Sequence, residues 1–106
     1  MEHKSRKETL LGMLETDSQD VFLNYALAME FLGEHDFKQA ESQFQHTLKL
    51  NSDYLPCYYQ LGQVNEKLNQ SDLAIQFYNK GIELANKQGN KKALGELKEA
   101  LWIIED

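Results

Sequence analysis

Residues 21–54 and 55–88 of this chain fall into register at a spacing of 34 residues, and a period of that length restricts the chain to architectures that stack one small unit. Only four positions are identical: Tyr25 with Tyr59, Leu27 with Leu61, Ala40 with Ala74, and Leu50 with Leu84. The similar pairs carry more weight because of where they fall. Phe44 matches Tyr78, Leu48 matches Ile82, Ala28 matches Gly62 and Thr47 matches Gly81. Gly62 interrupts a stretch, Gln60 to Tyr78, that otherwise favours helix. A helix-interior glycine costs about 1 kcal/mol relative to alanine. Its place opposite Ala28 supplies the reason, since two helices approach closely only where a small residue admits the ridge of the other.

Apolar residues recur at helical spacing along nearly the whole chain, and no stretch alternates with period two, so the expected fold is all-α with about six helices. The first runs from about Arg6 to Glu15 and ends in "TDSQD", where Asp17, Ser18 or Asp20 can cap the second, about Val21 to Leu32. Asp36, with Gln39 three residues on, can open the third helix, whose stripe is Phe37, Ala40, Phe44 and Leu48. Pro56 is tolerated in the first turn of a fourth helix striped by Tyr58, Leu61, Val64 and Leu68. The fifth carries Ala74, Tyr78, Gly81, Ile82 and Ala85 and stops near Gly89, and a sixth takes the rest. Linkers this short make successive helices antiparallel neighbours.

"YALAMEF", "DFKQAESQF", "YYQLGQV" and "DLAIQFYNKGIEL" together resemble the tetratricopeptide repeat family: a 34-residue pair of helices with "LA" or "LG" early in the first, and alanine followed by an aromatic in the second. The resemblance implies a right-handed α-solenoid of antiparallel helix pairs. It extends beyond the two whole repeats. A shift of 34 puts Leu10 on Phe44 and Leu14 on Leu48, so residues 5–16 resemble the second half of a preceding repeat. A shift of 33 puts Leu94 on Leu61, Gly95 on Gly62 and Leu101 on Leu68, so residues 90–105 resemble a first helix. The expected plan is one domain over 1–106, arranged as half, whole, whole, half. Asn65 departs from the family pattern, standing where an aromatic is usual, and Ser52 and Asn86 stand where proline is usual.

Charge narrows the function. With 17 acidic against 11 basic side chains the net charge is -6, and Lys4, Arg6 and Lys7 at one end, like Lys87, Lys91, Lys92 and Lys98 near the other, are mixed with acids. Such a surface repels a phosphate backbone, so nucleic acid is not the expected partner. No apolar run approaches membrane-spanning length, and Leu10 to Leu14 is too short for a signal-peptide core, so no membrane role is expected. The one cysteine, Cys57, forms no intramolecular bridge and suits a reducing, cytoplasmic setting. His3, His35, His46 and Cys57 lack the short pairings of a zinc site, and no nucleophile, base or phosphate loop stands out. No enzyme activity, cofactor or metal is expected.

Binding of another protein or peptide remains, in a groove lined by the first helices of the pairs, as the resemblance implies. The groove residues expected are Phe22, Tyr25 and Met29 from the first repeat and Tyr59, Gln63 and Glu66 from the second. The resemblance also implies that relatives gripping a free C-terminal carboxylate use lysine and asparagine at such places. Tyr25, Met29, Tyr59 and Gln63 form no such clamp and suit an apolar or amphipathic segment instead. In the sixth helix Leu94, Leu97, Leu101 and Ile104 make one docking stripe, and Trp102 and Ile103 lie off it. Trp102 either folds along the groove wall over the fourth helix or, with Ile103, meets another chain; a homodimer is the alternative partner.

Overall fold

The computed structural model describes residues 5–105, and every regular element in that span is an α-helix: α1 (Arg6–Thr16), α2 (Val21–Gly33), α3 (Phe37–Leu50), α4 (Pro56–Lys67), α5 (Ser71–Gln88) and α6 (Lys91–Glu105). His3 and Lys4 lie outside the described residues. Of the three candidate caps in "TDSQD" the chain uses Asp20, whose carboxylate accepts from the Leu23 amide at 2.8 Å. Asp36 likewise accepts from the Gln39 amide. The reciprocal half of a capping box does not form there, because the Asp36 amide donates to the Phe31 carbonyl at 2.9 Å. Gly89 ends α5 at φ 67°, and Asn90 opens α6 by accepting from the Ala93 amide.

Successive helices pack side by side into an elongated body of 50 × 28 × 21 Å. The core is correspondingly divided in two. Ala28, Ala40, Phe44, Cys57, Leu61 and Val64 form one fully buried cluster, which joins α2 and α3 to α4. Leu55, Ala74, Tyr78, Ala85, Leu97 and Ala100 form the other, joining α4 and α5 to α6. Each cluster therefore consists of a helix pair plus the first helix of the next unit, which is how a solenoid buries apolar surface that one pair cannot cover alone.

The small residues stand at the contacts. Ala28, Ala40 and Ala74 have no exposed surface, and a Cβ added to Gly62 would collide with the Tyr78 ring. One on Gly81 would stand 2.9 Å from the Tyr58 Cβ and 3.0 Å from Leu97, so this glycine admits both α4 and α6. Gly95, in register with Gly62, differs: no atom lies within 4 Å of the Cβ it lacks. The reason is topological, since Gly62 faces the second helix of its own pair and α6 has no such helix among the described residues.

Candidate protein-binding groove

The first helices α2, α4 and α6 line one side of the stack, and two adjoining cavities open there. The larger, of about 460 Å³, takes Tyr25 from α2, Asp53 and Tyr54 from the α3–α4 linker, Tyr59 and Gln60 from α4, and Glu96 from α6. The smaller, of about 310 Å³, lies between α4 and α6 and is lined by Tyr59, Gln63, Glu66, Glu96, Glu99 and Ile103. Tyr59 and Glu96 belong to both cavities and make them one groove.

Tyr25 and Tyr59 stand one period apart and line the same cavity, each half-buried. Tyr25 leans on Phe44 at 5.6 Å between ring centroids and meets Tyr54 edge-on at 5.3 Å. Tyr59 approaches Tyr78 at 6.3 Å. Each ring thus rests on the core with one side toward the groove, the arrangement an amphipathic phenol favours. Gln63 and Glu66 also reach the groove, but both bend back to a buried group. The Tyr78 hydroxyl donates to Glu66 Oε2 at 2.5 Å and accepts from Gln63 Nε2 at 2.6 Å. Burial first, and then Glu66, push the Tyr78 pKa far above its ordinary 10.0, so the hydroxyl stays protonated as a donor.

Phe22 and Met29 line neither cavity. Phe22 is 63% exposed at the start of α2, and Met29 packs on the first core cluster. The lining residues outside the expected set include Asp53, Tyr54, Gln60, Glu96 and Glu99. The sequence holds a signal for Glu96 and Glu99, because the 33-residue shift that sets Gly95 on Gly62 also sets Glu96 on Gln63 and Glu99 on Glu66.

Ile103, 60% exposed, lines the smaller cavity. Trp102 is 68% exposed, so it does not fold over α4. At 100° per residue it lies about 20° from Gly95 around α6, on a face turned away from Glu96. Cys57 is fully buried, and burial pushes its thiol from 9.0 up to about 12, which keeps it protonated and unreactive. No cluster of three or more metal-ligating side chains exists among the described residues, and none of their helices is long and apolar enough to cross a membrane.

Residues 55–88 match the family model described as tetratricopeptide repeat. A tetratricopeptide repeat domain protein from Salinibacter ruber, solved both in the crystal and in solution, is 38% identical. The crystal-structure match covers 81% of this chain and 96% of that one, with a TM-score of 0.77. A protein from Bordetella parapertussis, solved in solution, matches over 97% of this chain and 90% of its own with a TM-score of 0.87 at 19% identity. MamA matches over 93% of this chain and 66% of its own with a TM-score of 0.70 at 20% identity. At such identities these last two speak for the fold alone. A search of curated proteins found no match.

Proposed function

The chain belongs to the tetratricopeptide repeat family, and from that premise we propose that this protein-interaction module holds a peptide or helix of its partner in the groove along α2, α4 and α6, without catalysis. The observation that carries the reading is the junction of the two cavities at Tyr59, which gives a continuous channel walled by aromatic rings and floored by the core. Tyr25, Tyr59, Gln63 and Glu66 contact the bound segment, and Phe22 and Met29 extend the apolar surface at the α2 end. Tyrosines contribute large rigid contact area at small entropic cost. Among the described residues the groove offers no cation to a peptide carboxylate, so recognition does not use a free C-terminus. The test is titration of a bound peptide and its C-terminally amidated form. Equal affinities, with amide shifts confined to α2, α4 and α6, are expected; loss of binding on amidation overturns the reading.

A second reading has its own observation. Trp102 is two-thirds exposed on a face of α6 where Gly95 leaves open space, and Ile103 lies nearby. A second copy seated over Trp102 and across the adjoining groove edge, where Ile103 lies, would bury both side chains as a homodimer. Trp102 is the only tryptophan, so emission that shifts to the blue as concentration rises supports self-association. An unchanging red spectrum in a species of monomer mass rules it out.

A further inference from the structure

Acidic and basic side chains are distributed unevenly between the groove and the remaining surface. Asp53 and Glu96 line the larger cavity, and Glu66, Glu96 and Glu99 the smaller. Among the described residues no lysine, arginine or histidine lines either one. Lys49 and Lys80 border a separate depression between α3 and α5, Arg6 and Lys7 pair with Glu30 and Glu34 where α1 meets α2, and Lys92, on the same face of α6 as Glu96 and Glu99, lines neither cavity. Among the described residues none of the groove carboxylates is in an ion pair. A concave wall of one sign focuses its field into the cavity, so this groove attracts positive charge and repels negative charge more strongly than the net charge of the chain implies.

From this charge complementarity we propose that the groove takes a basic segment of a partner protein, with a lysine or arginine side chain entering the larger cavity among Tyr25, Tyr54 and Tyr59 and reaching Asp53 and Glu96. The inference rests on the groove reading above and adds the chemistry of the occupant. The tyrosines matter as much as the acids. A cation desolvated against an aromatic face gains from the ring quadrupole, and its alkyl stem covers apolar wall at Leu55 and Pro56. A carboxylate-terminated or acidic segment meets only like charge there, so the same arrangement selects against it.

The test selects peptides on the full chain from a phage library of random dodecapeptides and then titrates a selected peptide by fluorescence anisotropy. Selected sequences are expected to carry arginine or lysine beside apolar residues. Their affinity should fall about five- to tenfold in the double variant D53N/E96Q, which removes two rim charges from exposed positions. It should also fall as salt rises from about 50 to about 500 mM. Amide shifts in the wild-type protein locate the peptide without any substitution. Neutral or acidic peptides that shift the amides of Tyr25, Tyr59 and Glu96 overturn the charge inference and leave the groove reading standing. Peptides that shift amides elsewhere, or a selection that enriches nothing, overturn the groove reading itself.

Discussion

The two whole repeats solve the same packing problem with different chemistry. In the first, the aromatic of α3 is Phe44, facing Ala28, with Met29 and Leu32 packed against the same cluster. In the second, the equivalent aromatic is Tyr78, facing Gly62, with Gln63 and Glu66 holding its hydroxyl. Four positions differ together, and the differences depend on one another. A phenol in a fully buried place needs partners for its oxygen, which the two polar side chains supply. Its ring lies so far over α4 that even a methyl group on the facing residue has no space, so glycine is required where the first repeat accommodates alanine. The pairing teaches that a repeat position is not independent of its neighbours: the small residue, the aromatic and two groove residues vary as a set.

The largest effect comes from breaking the set at its tightest point. Gly62→Leu forces the Tyr78 ring out of place, and chemical denaturation should register a loss of about 3 kcal/mol, the upper end of the overpacking range. A smaller change makes a cleaner cycle. Gly62→Ala should cost distinctly less in a Tyr78→Leu background than alone, because the colliding atoms are ring carbons. Equal costs in both backgrounds would show that the ring is not the obstacle.

Exchanging the aromatics sharpens the comparison. Phe44→Tyr puts a hydroxyl beside Met29 and Leu32 with nothing to bond, at about 2 kcal/mol. The reverse change, Tyr78→Phe, removes two hydrogen bonds but leaves Gln63 and Glu66 able to turn to water, at about 1 kcal/mol. Thermal melts of the two variants should therefore be unequal, with Phe44→Tyr the worse. Alkaline pH reads the same set. The Tyr78 pKa is raised in the fold, so the unfolded chain ionises first and stability falls as pH rises past 10.0. Cys57, raised from 9.0 to about 12, starts the fall a little earlier. Below pH 9 neither contributes a slope, and Tyr78→Phe should make the alkaline fall shallower.

Much of this comparison can be read in the sequence and part of it cannot, for physical reasons. Helix number, helix limits to within a residue or two and the buried alanines follow from periodicity and caps, which are local. Gly62 can be read as a contact, because no local benefit explains an interior glycine. That Gln63 and Glu66 turn back to Tyr78 cannot be read, since a polar residue on a groove face looks the same whether it meets solvent or a buried hydroxyl 12 to 15 positions away. Asp53 is hidden for a related reason: it comes from a linker outside the helical register, and only the stacking of pairs brings it to the cavity that Glu96 of α6 also lines.

Position 65 offers a gain instead of a loss. In the first repeat the equivalent Phe31 carries the Lys7 ammonium over its ring at 4.6 Å, whereas Asn65 is wholly buried. Its amide donates to the Leu61 carbonyl at 2.8 Å, but its Oδ1 has no partner among the described residues. Asn65→Leu removes an orphaned acceptor in exchange for one local bond and should raise stability by about 1 kcal/mol in urea denaturation. A drop would mean that the carbonyl oxygen does have a partner in solution.

The smallest expected effect lies in the turns within the pairs, where the repeats again use different residues at one place. His35 between α2 and α3 and Asn69 between α4 and α5 both sit at φ 60°, in the left-handed region. Both residue types are enriched in that region, but asparagine enters it at lower cost because its short amide bonds locally, a device that the longer histidine ring lacks. The His35 ring does stack on Phe37 at 5.7 Å, on the exposed side of the turn, which offsets part of its strain. Copying the second turn into the first, His35→Asn, should therefore stabilise by about 0.5 kcal/mol, the backbone gain less the lost stacking. The converse, Asn69→His, should cost a similar amount, since Ser71 stands where Phe37 does and offers no ring to stack on. Melting curves of the two variants decide the matter: shifts of opposite sign support backbone strain as the cause, and a loss from both would place the ring contact above the backbone in setting the stability of this turn.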